Sequence, residues 1–442
     1  MRIRGLLVAS LIFLILAGVL YWSNRHKPEE QTAKASADVA PIILKLDQSA
    51  INKIEIRKQD SQPILLAKND SGTWQIMAPK PLRADQNAVS GVLSTLSSLN
   101  SDRLIEDKAS DLKRYGLDPP SVEADVAEKD NKTQKLLFGD DTPASSAVYA
   151  MLAGDPRVFT VSKYTKNSVD KNLEDLRDKR LLTVDADKIS RIELLRKNLD
   201  IEFGRDKDEW QILKPKPLRA DSTQVDGLVQ KLTDARMDLS DAGQKDTRSA
   251  ASEFAKAAPV ATVKVTGQSG TEELQVRKNK DTYYAKSSVV AGAYKVGSEL
   301  GQGLDKGLDD FRNKKLFDFG FDNPNKIELH SGAKMYLLER NKEDWWSNGK
   351  KMDPGSDDSL ISKLRDLSAS KFVDSGFGKP EIEATVTSED GKRTEKILIS
   401  KTGDHYIAKR ENEPGLYEID SGVVNDLLKA VDDLKPAAVI NK

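Results

Sequence analysis

Apolar residues recur with a helical spacing at three places along the chain. Counted from Asp85 and from Asp221, the apolar residues occupy the fourth, seventh, eighth and eleventh positions toward the C-terminus. This spacing places them on one face of an amphipathic helix, and an aspartate just before such a run is a typical N-cap. The third occurrence is predicted to start at Asp357. The apolar residues of the three helices are Val89, Val92, Leu93 and Leu96; Val225, Leu228, Val229 and Leu232; and Ile361, Leu364 and Leu367.

Alternating apolar and polar residues surround each predicted helix and indicate half-buried strands. Each copy opens with an extended pair of segments, and further strands and a closing helix follow the central helix. The opening pairs are 42–46 with 51–56, 181–184 with 189–194, and 316–319 with 326–329. Strand runs interrupted by single helices predict an α+β fold: three tandem repeats of a mostly antiparallel sheet, each with two to three helices.

A heptapeptide connects strand to helix in the first two copies. The sequence Pro-Lys-Pro-Leu-Arg-Ala-Asp occupies 79–85 and returns at 215–221, 136 residues later. Its two prolines exclude a central strand and favour an extended path into the helix. In the second copy Gln224 stands where a capping box would place it. The third copy retains only Lys351-Met352-Asp353-Pro354 after Trp345-Trp346.

These repeats divide the chain into segments. We predict a membrane anchor at 1–27, a polar linker at 28–40, module 1 at 41–180, module 2 at 181–315, a degenerate module 3 at 316–436, and a tail at 437–442.

The N-terminal segment predicts an uncleaved transmembrane helix. Residues 5–22 are apolar except for Ser10, and eighteen helical residues span about 27 Å, close to the hydrocarbon thickness of a bilayer. A cleaved signal peptide is the alternative, but bulky residues follow the apolar run where small ones are expected. We therefore expect a single-pass signal anchor in the cytoplasmic membrane, with the bulk of the chain periplasmic or extracellular.

Composition excludes several function classes. Lys and Arg total 69 against 70 Asp and Glu, so the overall charge predicts no nucleic-acid partner. Cysteine is absent, which excludes disulfides and thiolate metal sites. The histidines, His26, His330 and His405, share no repeat position, and no catalytic or cofactor motif is present. We therefore predict no catalytic residue, metal or cofactor.

The strongest candidate for ligand binding is the basic pair inside each heptapeptide. Lys80 with Arg83, and Lys216 with Arg219, precede a helix N-terminus, where an anion would be favoured. The simpler interpretation is that the segment only starts a helix and its basic side chains are exposed. Trp74 and Trp210 are candidates for a sugar-stacking platform, with packing in the core as the alternative.

The order of these motifs resembles a known family. It combines Trp-x-Ile, the heptapeptide, Tyr115-Gly116-Leu117-Asp118-Pro119-Pro120 and the segment 176–181. The sequence is similar, over about 42–226, to a domain of unknown function in bacterial membrane-anchored envelope proteins. Such proteins are often encoded beside ABC-type transport components of the kind associated with gliding motility. No catalytic residues are established for that family, so the resemblance implies none here.

These observations together lead to an expected function. We expect an extracytoplasmic binding or scaffolding protein, auxiliary to an envelope or ABC-type transport assembly. Its expected partners are the membrane, through residues 5–22, and transport components or other envelope proteins. An enzyme acting on a cell-envelope polymer is the alternative, and it would require polar residues that converge in a cleft.

Overall fold

A computed structural model describes residues 41–130, 132–143, 146–207, 209–239, 246–319 and 324–438. They form two compact units, the first ending at Asp178 and the second beginning at Lys179. The predicted anchor and linker, residues 1–40, lie outside the described residues. Within the described ranges no helix is long and apolar enough to cross a membrane.

The first unit contains one large antiparallel sheet with the strand order β5-β4-β3-β2-β8-β9-β10-β11-β7, while β1 pairs only with β6. Its strands are β1 Ile42–Lys45, β2 Ile51–Lys58, β3 Ile64–Lys68, β4 Trp74–Ala78, β5 Leu82–Arg83, β6 Ser98–Asn100, β7 Arg103–Glu106, β8 Val122–Glu128, β9 Thr133–Asp141, β10 Ala147–Leu152 and β11 Val158–Ser162. Its helices are α1 Gln86–Ser97, α2 Lys163–Val169 and α3 Leu173–Leu176.

The second unit begins with the sheet of module 2, ordered β15-β14-β13-β12-β16-β17-β18-β19. The strands are β12 Arg191–Arg196, β13 Leu199–Asp206, β14 Glu209–Lys214, β15 Leu218–Arg219, β16 Ala258–Gly267, β17 Gly270–Asn279, β18 Thr282–Ser287 and β19 Ala293–Val296. The helices are α4 Ser222–Thr233, α5 Asp246–Lys256, α6 Ser298–Leu304 and α7 Leu308–Phe311.

The second unit also contains the sheet of module 3, ordered β23-β22-β21-β20-β25-β26-β27-β28-β24. Its strands are β20 Lys326–Ser331, β21 Lys334–Asn341, β22 Asp344–Ser347, β23 Lys350–Lys351, β24 Lys371–Val373, β25 Ile382–Ser388, β26 Arg393–Thr402, β27 His405–Arg410 and β28 Leu416–Ile419. Its helices are α8 Pro354–Arg365 and α9 Ser421–Asp432.

Each sheet packs one face against its own helices and encloses a separate hydrophobic core. In module 2, for example, Ile192 and Phe203 of the sheet and Val225 of α4 are all fully buried. The predicted class, mostly antiparallel α+β, is confirmed. The predicted helix number is too low for module 2, in which the described residues form four helices.

The closing helix of modules 1 and 2 is split, contrary to the prediction of one continuous helix. In module 1 the break lies at 170–172, and the backbone N–H of Asn172 donates to Asp175 Oδ2 at 2.8 Å. In module 2 the N–H of Gly307 donates to Asp310 Oδ2 at 2.7 Å. Each aspartate thus satisfies a free amide at the start of the second helix and favours a new helix there. In module 3 the closing helix α9 is continuous.

The opening pairs of segments also differ from the prediction. Strand β1 pairs with β6 rather than with β2. The segments 181–184 and 316–319 form no strand. Instead, Leu181 N–H bonds Ala235 O at 3.0 Å, and Leu316 N–H bonds Leu367 O at 2.9 Å. The apolar side chains in these segments are buried, so their pattern reflects anchoring in the core rather than strand pairing.

The third core helix starts four residues earlier than predicted. Asp353 is its N-cap, and its side chain accepts from Ser356 N–H at 3.2 Å. Asp357 lies inside the helix, four residues after the cap, where modules 1 and 2 have Val89 and Val225. Because Asp357 puts a polar residue at this core position, the apolar spacing begins later in the sequence, and the predicted start of the helix is displaced to Asp357.

Candidate functional site

The heptapeptide joins the start of the core helix to the end of its own module. In module 2, Leu218 and Arg219 form the edge strand β15. Asp221 N–H then bonds Phe311 O at 2.8 Å, while Asp221 Oδ1 accepts from Gln224 N–H at 3.1 Å. The predicted cap is therefore confirmed, but the capping box is incomplete, because Gln224 Oε1 accepts from Lys306 Nζ at 2.7 Å instead.

The first heptapeptide has the same architecture. Asp85 Oδ1 accepts from the backbone N–H groups of Asn87 and Ala88 at 2.9 and 3.1 Å. Asp85 N–H bonds Leu176 O at 2.8 Å, and Asp178 N–H bonds Arg83 O at 2.9 Å. The repeated cap and the backbone bonds around it therefore have a structural role in both copies.

The lysine and the arginine of each heptapeptide have different environments. Lys80 and Lys216 are exposed. Arg83 is partly buried, with Nη1 3.9 Å from Asp178 Oδ2. Arg219, in contrast, lies inside a dense polar network formed with module 3. The structure thus separates the predicted basic pair into an exposed lysine and an engaged arginine.

Arg219 contacts module 3 with all three nitrogens of its guanidinium group. Nη1 donates to both carboxylate oxygens of Asp318 at 2.7 Å, and Nε lies 2.6 Å from Glu413 Oε1. Nη2 donates to Lys315 O at 2.6 Å and to Tyr417 Oη at 3.2 Å. Several charge-assisted bonds from one planar group fix both distance and orientation.

A second arginine extends this network within module 3. Arg410 lies 2.7 Å from Glu413, 3.0 Å from Glu395 and 3.4 Å from Asp318. Glu395 also accepts from the backbone N–H of Asp318 at 3.0 Å. We call the set Arg219, Asp318, Glu395, Arg410, Glu413 and Tyr417 the junction cluster.

Burial and charge act in opposite directions on the arginine of the junction cluster. Burial of Arg219 by itself lowers its pKa, but the negative charges of Asp318 and Glu413 and the hydrogen bond to Tyr417 more than offset this effect, and the pKa is raised. The pKa of Tyr417 is raised as well, chiefly by burial, so the phenol is neutral at physiological pH. Arg393, 3.5 Å from both Asp318 and Glu395, adds a third cation beside the three carboxylates. With Arg393 the cluster is a neutralised structural ion network rather than a proton-transfer pair.

Sequence reasoning identified Arg219 but missed its partners. Asp318, Glu395 and Glu413 read as ordinary surface carboxylates. The repeats did contain one signal for Glu395, because Glu395 and Glu272 occupy equivalent positions in modules 3 and 2. Each accepts a backbone N–H from the segment that opens its module: Glu395 from Asp318, and Glu272 from Thr183.

A cavity of about 400 Å³ adjoins the junction cluster. Lys314, Lys315 and Arg393 contribute positive charge to its lining, while Glu209, Asp221 and Asp318 contribute negative charge. Asp221 already caps α4, and Asp318 already binds Arg219. The cavity lining is thus polar and of mixed charge, and two of its three carboxylates are already engaged within the fold.

The two tryptophans lie in the cores rather than on open surfaces. Trp74 and Trp210 are 6% and 2% exposed. The indole Nε1–H of Trp210 donates to Asp226 Oδ1 at 2.8 Å, and the Arg205 guanidinium lies 5.5 Å from the ring centre. Lys68 takes the corresponding position 5.2 Å from the ring of Trp74. A stacking platform for sugars is therefore not formed at either position.

Among the described residues, no group of three or more His, Asp or Glu side chains has the geometry of a metal site. His330 lies on β20, and His405, on β27, has Nε2 3.7 Å from Glu418 Oε2. The structure thus places these two histidines on separate strands of one sheet. His26 lies outside the described residues.

The architecture defines a class of protein: tandem α+β modules, each built from an antiparallel sheet, a capped core helix and a closing helical segment. The family model described as "Domain of unknown function (DUF4340)" matches residues 74–214 and 210–385. The chain belongs to this family. The match confirms the resemblance to a family of unknown function, but it begins later and extends further than the predicted 42–226.

Both family matches begin at a core tryptophan, Trp74 and Trp210, which are 136 residues apart. No curated protein matches the chain. Two solved structures match the chain weakly. They are a DNA polymerase sliding clamp from Pseudomonas aeruginosa with ligand and a DnaN sliding clamp from the same organism bound to griselimycin. They share 8% and 7% identity, each covers 86% of this chain and 94% of its own, and the TM-scores are 0.16 and 0.14. Scores this low carry no argument about fold or function.

Proposed function

We propose that this protein is a membrane-anchored, extracytoplasmic binding or scaffolding component of an envelope or ABC-type transport assembly. The apolar segment 5–22 supports the membrane anchor. The resemblance of the motifs to the family of envelope proteins supports a role in such an assembly. The repeated motif supports a non-catalytic role, because its arginine in module 2 belongs to a neutralised structural network.

The observation that carries the proposal is the outer face of the first sheet. Its central strands bear a ladder of opposite charges: Arg57 Nη1 lies 2.7 Å from Asp125 Oδ2, and Lys135 Nζ lies 2.8 Å from Glu123 Oε1. We call the set Glu55, Arg57, Glu123, Asp125 and Lys135 the charge ladder. Its side chains are partly exposed. A patterned, mixed-charge face suits recognition of a complementary protein surface.

The partner test uses crosslinking in intact cells, followed by purification from detergent-solubilised membranes. The full-length protein is expected to be recovered with a transport ATPase or its membrane subunit. Glu123→Lys with Asp125→Lys should abolish that recovery, since reversed charges repel the complementary surface. The matched control is Asp130→Lys with Lys132→Glu, which exchanges the partners of an exposed ion pair in the same module.

Two outcomes would contradict the proposal. Recovery of the same partner with the reversed ladder would exclude this face as the binding surface. A mature protein in the soluble periplasmic fraction that starts near Ser36 would exclude the anchor, whereas we expect membrane fractionation that resists high salt and an intact N-terminus.

A further inference from the structure

A concave groove of about 660 Å³ lies on the third sheet. Its floor is a row of residues in register across four adjacent strands: Trp346 on β22, Glu339 on β21, Lys326 on β20 and Thr387 on β25. The adjacent residues in these strands, Trp345, Leu338, Ile327 and Val386, are buried in the core. Because side chains alternate between the two faces of a strand, the row lies on the face away from the core.

The groove combines one open aromatic surface with many hydrogen-bonding groups. Trp346 is 36% exposed, in contrast to Trp345 at 5%. The other lining residues include Asn341 and Asn348, together with Lys326 and Glu339 of the row. The amides of Asn341 and Asn348 each offer both donors and acceptors. Asn325 also borders the groove, and its side-chain amide is positioned to donate to Thr387 O and to accept from Gly391 N–H.

The same row in the other two modules provides an internal comparison. In module 1 it reads Gln75, Ala67, Lys53 and Ala127. In module 2 it reads Gln211, Gly204, Arg191 and Thr266, and the side chain of Leu213 lies over Gly204. The cation at the third position is common to all modules. The tryptophan and the glutamate belong to module 3 alone.

We propose that this groove binds an oligosaccharide. A pyranose ring has an apolar C–H face and a rim of hydroxyl groups, and an exposed indole beside amides and charged groups matches both features. The row spans three interstrand spacings, about 14 Å, which suits a short chain of linked sugars. A hydrophobic peptide fits less well, because Trp346 and Leu337 are the apolar side chains among the lining residues.

This site is distinct from the junction cluster and does not depend on the proposed scaffolding role. Module 3 lacks the heptapeptide, so the repeated motif and the groove occur in different copies. A transport or envelope assembly could lack the saccharide site, and a saccharide-binding protein could lack such partners. Binding by the purified chain therefore tests the groove alone.

The test titrates purified full-length protein with cellotetraose, chitotetraose and maltotetraose separately, and detects binding by saturation-transfer NMR. At least one tetrasaccharide is expected to bind saturably. Trp346→Gln, which installs the residue of the other modules, should weaken binding by about tenfold or more, since it removes the stacking surface. Gln211→Asn, at the equivalent position of module 2, is the control and should leave binding unchanged.

Both variants should unfold at the same temperature as the native protein, which shows that any loss reflects the site rather than the fold. The proposal is overturned if none of the three tetrasaccharides binds, or if Trp346→Gln binds equally well. A photo-crosslinker at position 346 that captures a protein, with no tetrasaccharide bound, would assign the groove to a protein partner and would also overturn it.

Discussion

The second and third modules share a fold but differ at three equivalent places. Module 2 has the full heptapeptide, a valine in the core helix and a glutamine on the outer sheet face. Module 3 has a shortened connecting segment that ends at Asp353, a buried Asp357 and the exposed Trp346. In each of the two modules an aspartate still caps a helix of twelve residues. The cap and an apolar helix face are common to both modules, whereas the module fold forms in module 3 without the two prolines and the arginine of the heptapeptide.

The largest expected effect comes from placing the carboxylate of module 3 into module 2. Val225→Asp should destabilise module 2 by about 3–5 kcal/mol, because it buries an uncompensated charge and removes apolar packing. Hydrogen exchange across α4 measures the loss. Thr223→Ala, an exposed change on the same helix, is the control. Unchanged protection of α4 in Val225→Asp would show that this position tolerates charge in either module.

The reverse exchange should stabilise module 3 by about 1–3 kcal/mol at neutral pH. Asp357 is 3% exposed, and its Oδ1 has no hydrogen-bond partner among the described residues, so Asp357→Val removes an unsatisfied polar group. Protection of α8 in hydrogen exchange should increase. Equal protection would indicate that the carboxylate is stabilised in the native fold.

The gain from Asp357→Val should also depend on pH. Burial, followed by the nearby carboxylates Asp358, Asp353 and Asp344, raises the pKa of Asp357 above its ordinary value of 3.8. The folded state therefore holds the proton more tightly than the unfolded state, and native stability falls as the pH rises from about 3.8 through the raised pKa. The advantage of the variant should grow over that window and then stay constant. An advantage independent of pH would show that Asp357 does not titrate differently on folding.

Smaller effects are expected at the caps. Asp221→Ala and Asp353→Ala should each destabilise their helices by about 1 kcal/mol, the usual loss for an N-cap carboxylate. Asp85→Ala should do the same in module 1, and the losses should be nearly additive because the cores are separate. Urea unfolding and helix-resolved hydrogen exchange measure them. If Asp353→Ala had no effect while Asp357→Ala unfolded the start of the helix, the result would contradict the cap at Asp353 and support the sequence-based prediction that the helix starts at Asp357.

The sequence predicted best what depends on neighbouring residues. Asp85 and Asp221 cap helices whose apolar faces follow within twelve residues, so local spacing was sufficient. Gly116 closes a short helical turn in the left-handed conformation, with φ 64°, which glycine adopts without steric cost. The turn is a 3₁₀ helix, Lys113–Tyr115.

Distant contacts could not be predicted in this way. The partners of Arg219 include Asp318 and Tyr417, which lie 99 and 198 residues away. Comparison of the repeats does not reveal these partners either, since the residues of module 2 that are equivalent to Asp318 and Glu413 are Thr183 and Val290. A junction that occurs once leaves no periodic signal, and charged residues at its edge resemble ordinary surface residues.

The central claim is that the second heptapeptide joins modules 2 and 3 through its arginine and that its lysine is dispensable. Hydrogen exchange of the full-length Arg219→Gln and Lys216→Gln variants tests it directly. We predict that Arg219→Gln accelerates exchange about tenfold or more at residues 316–319 and in β28, because it removes the cation that links Asp318 and Glu413 to module 2 and leaves the carboxylates of the cluster in excess. Lys216→Gln should match the native protein. Equal exchange in Arg219→Gln and the native protein would contradict the claim.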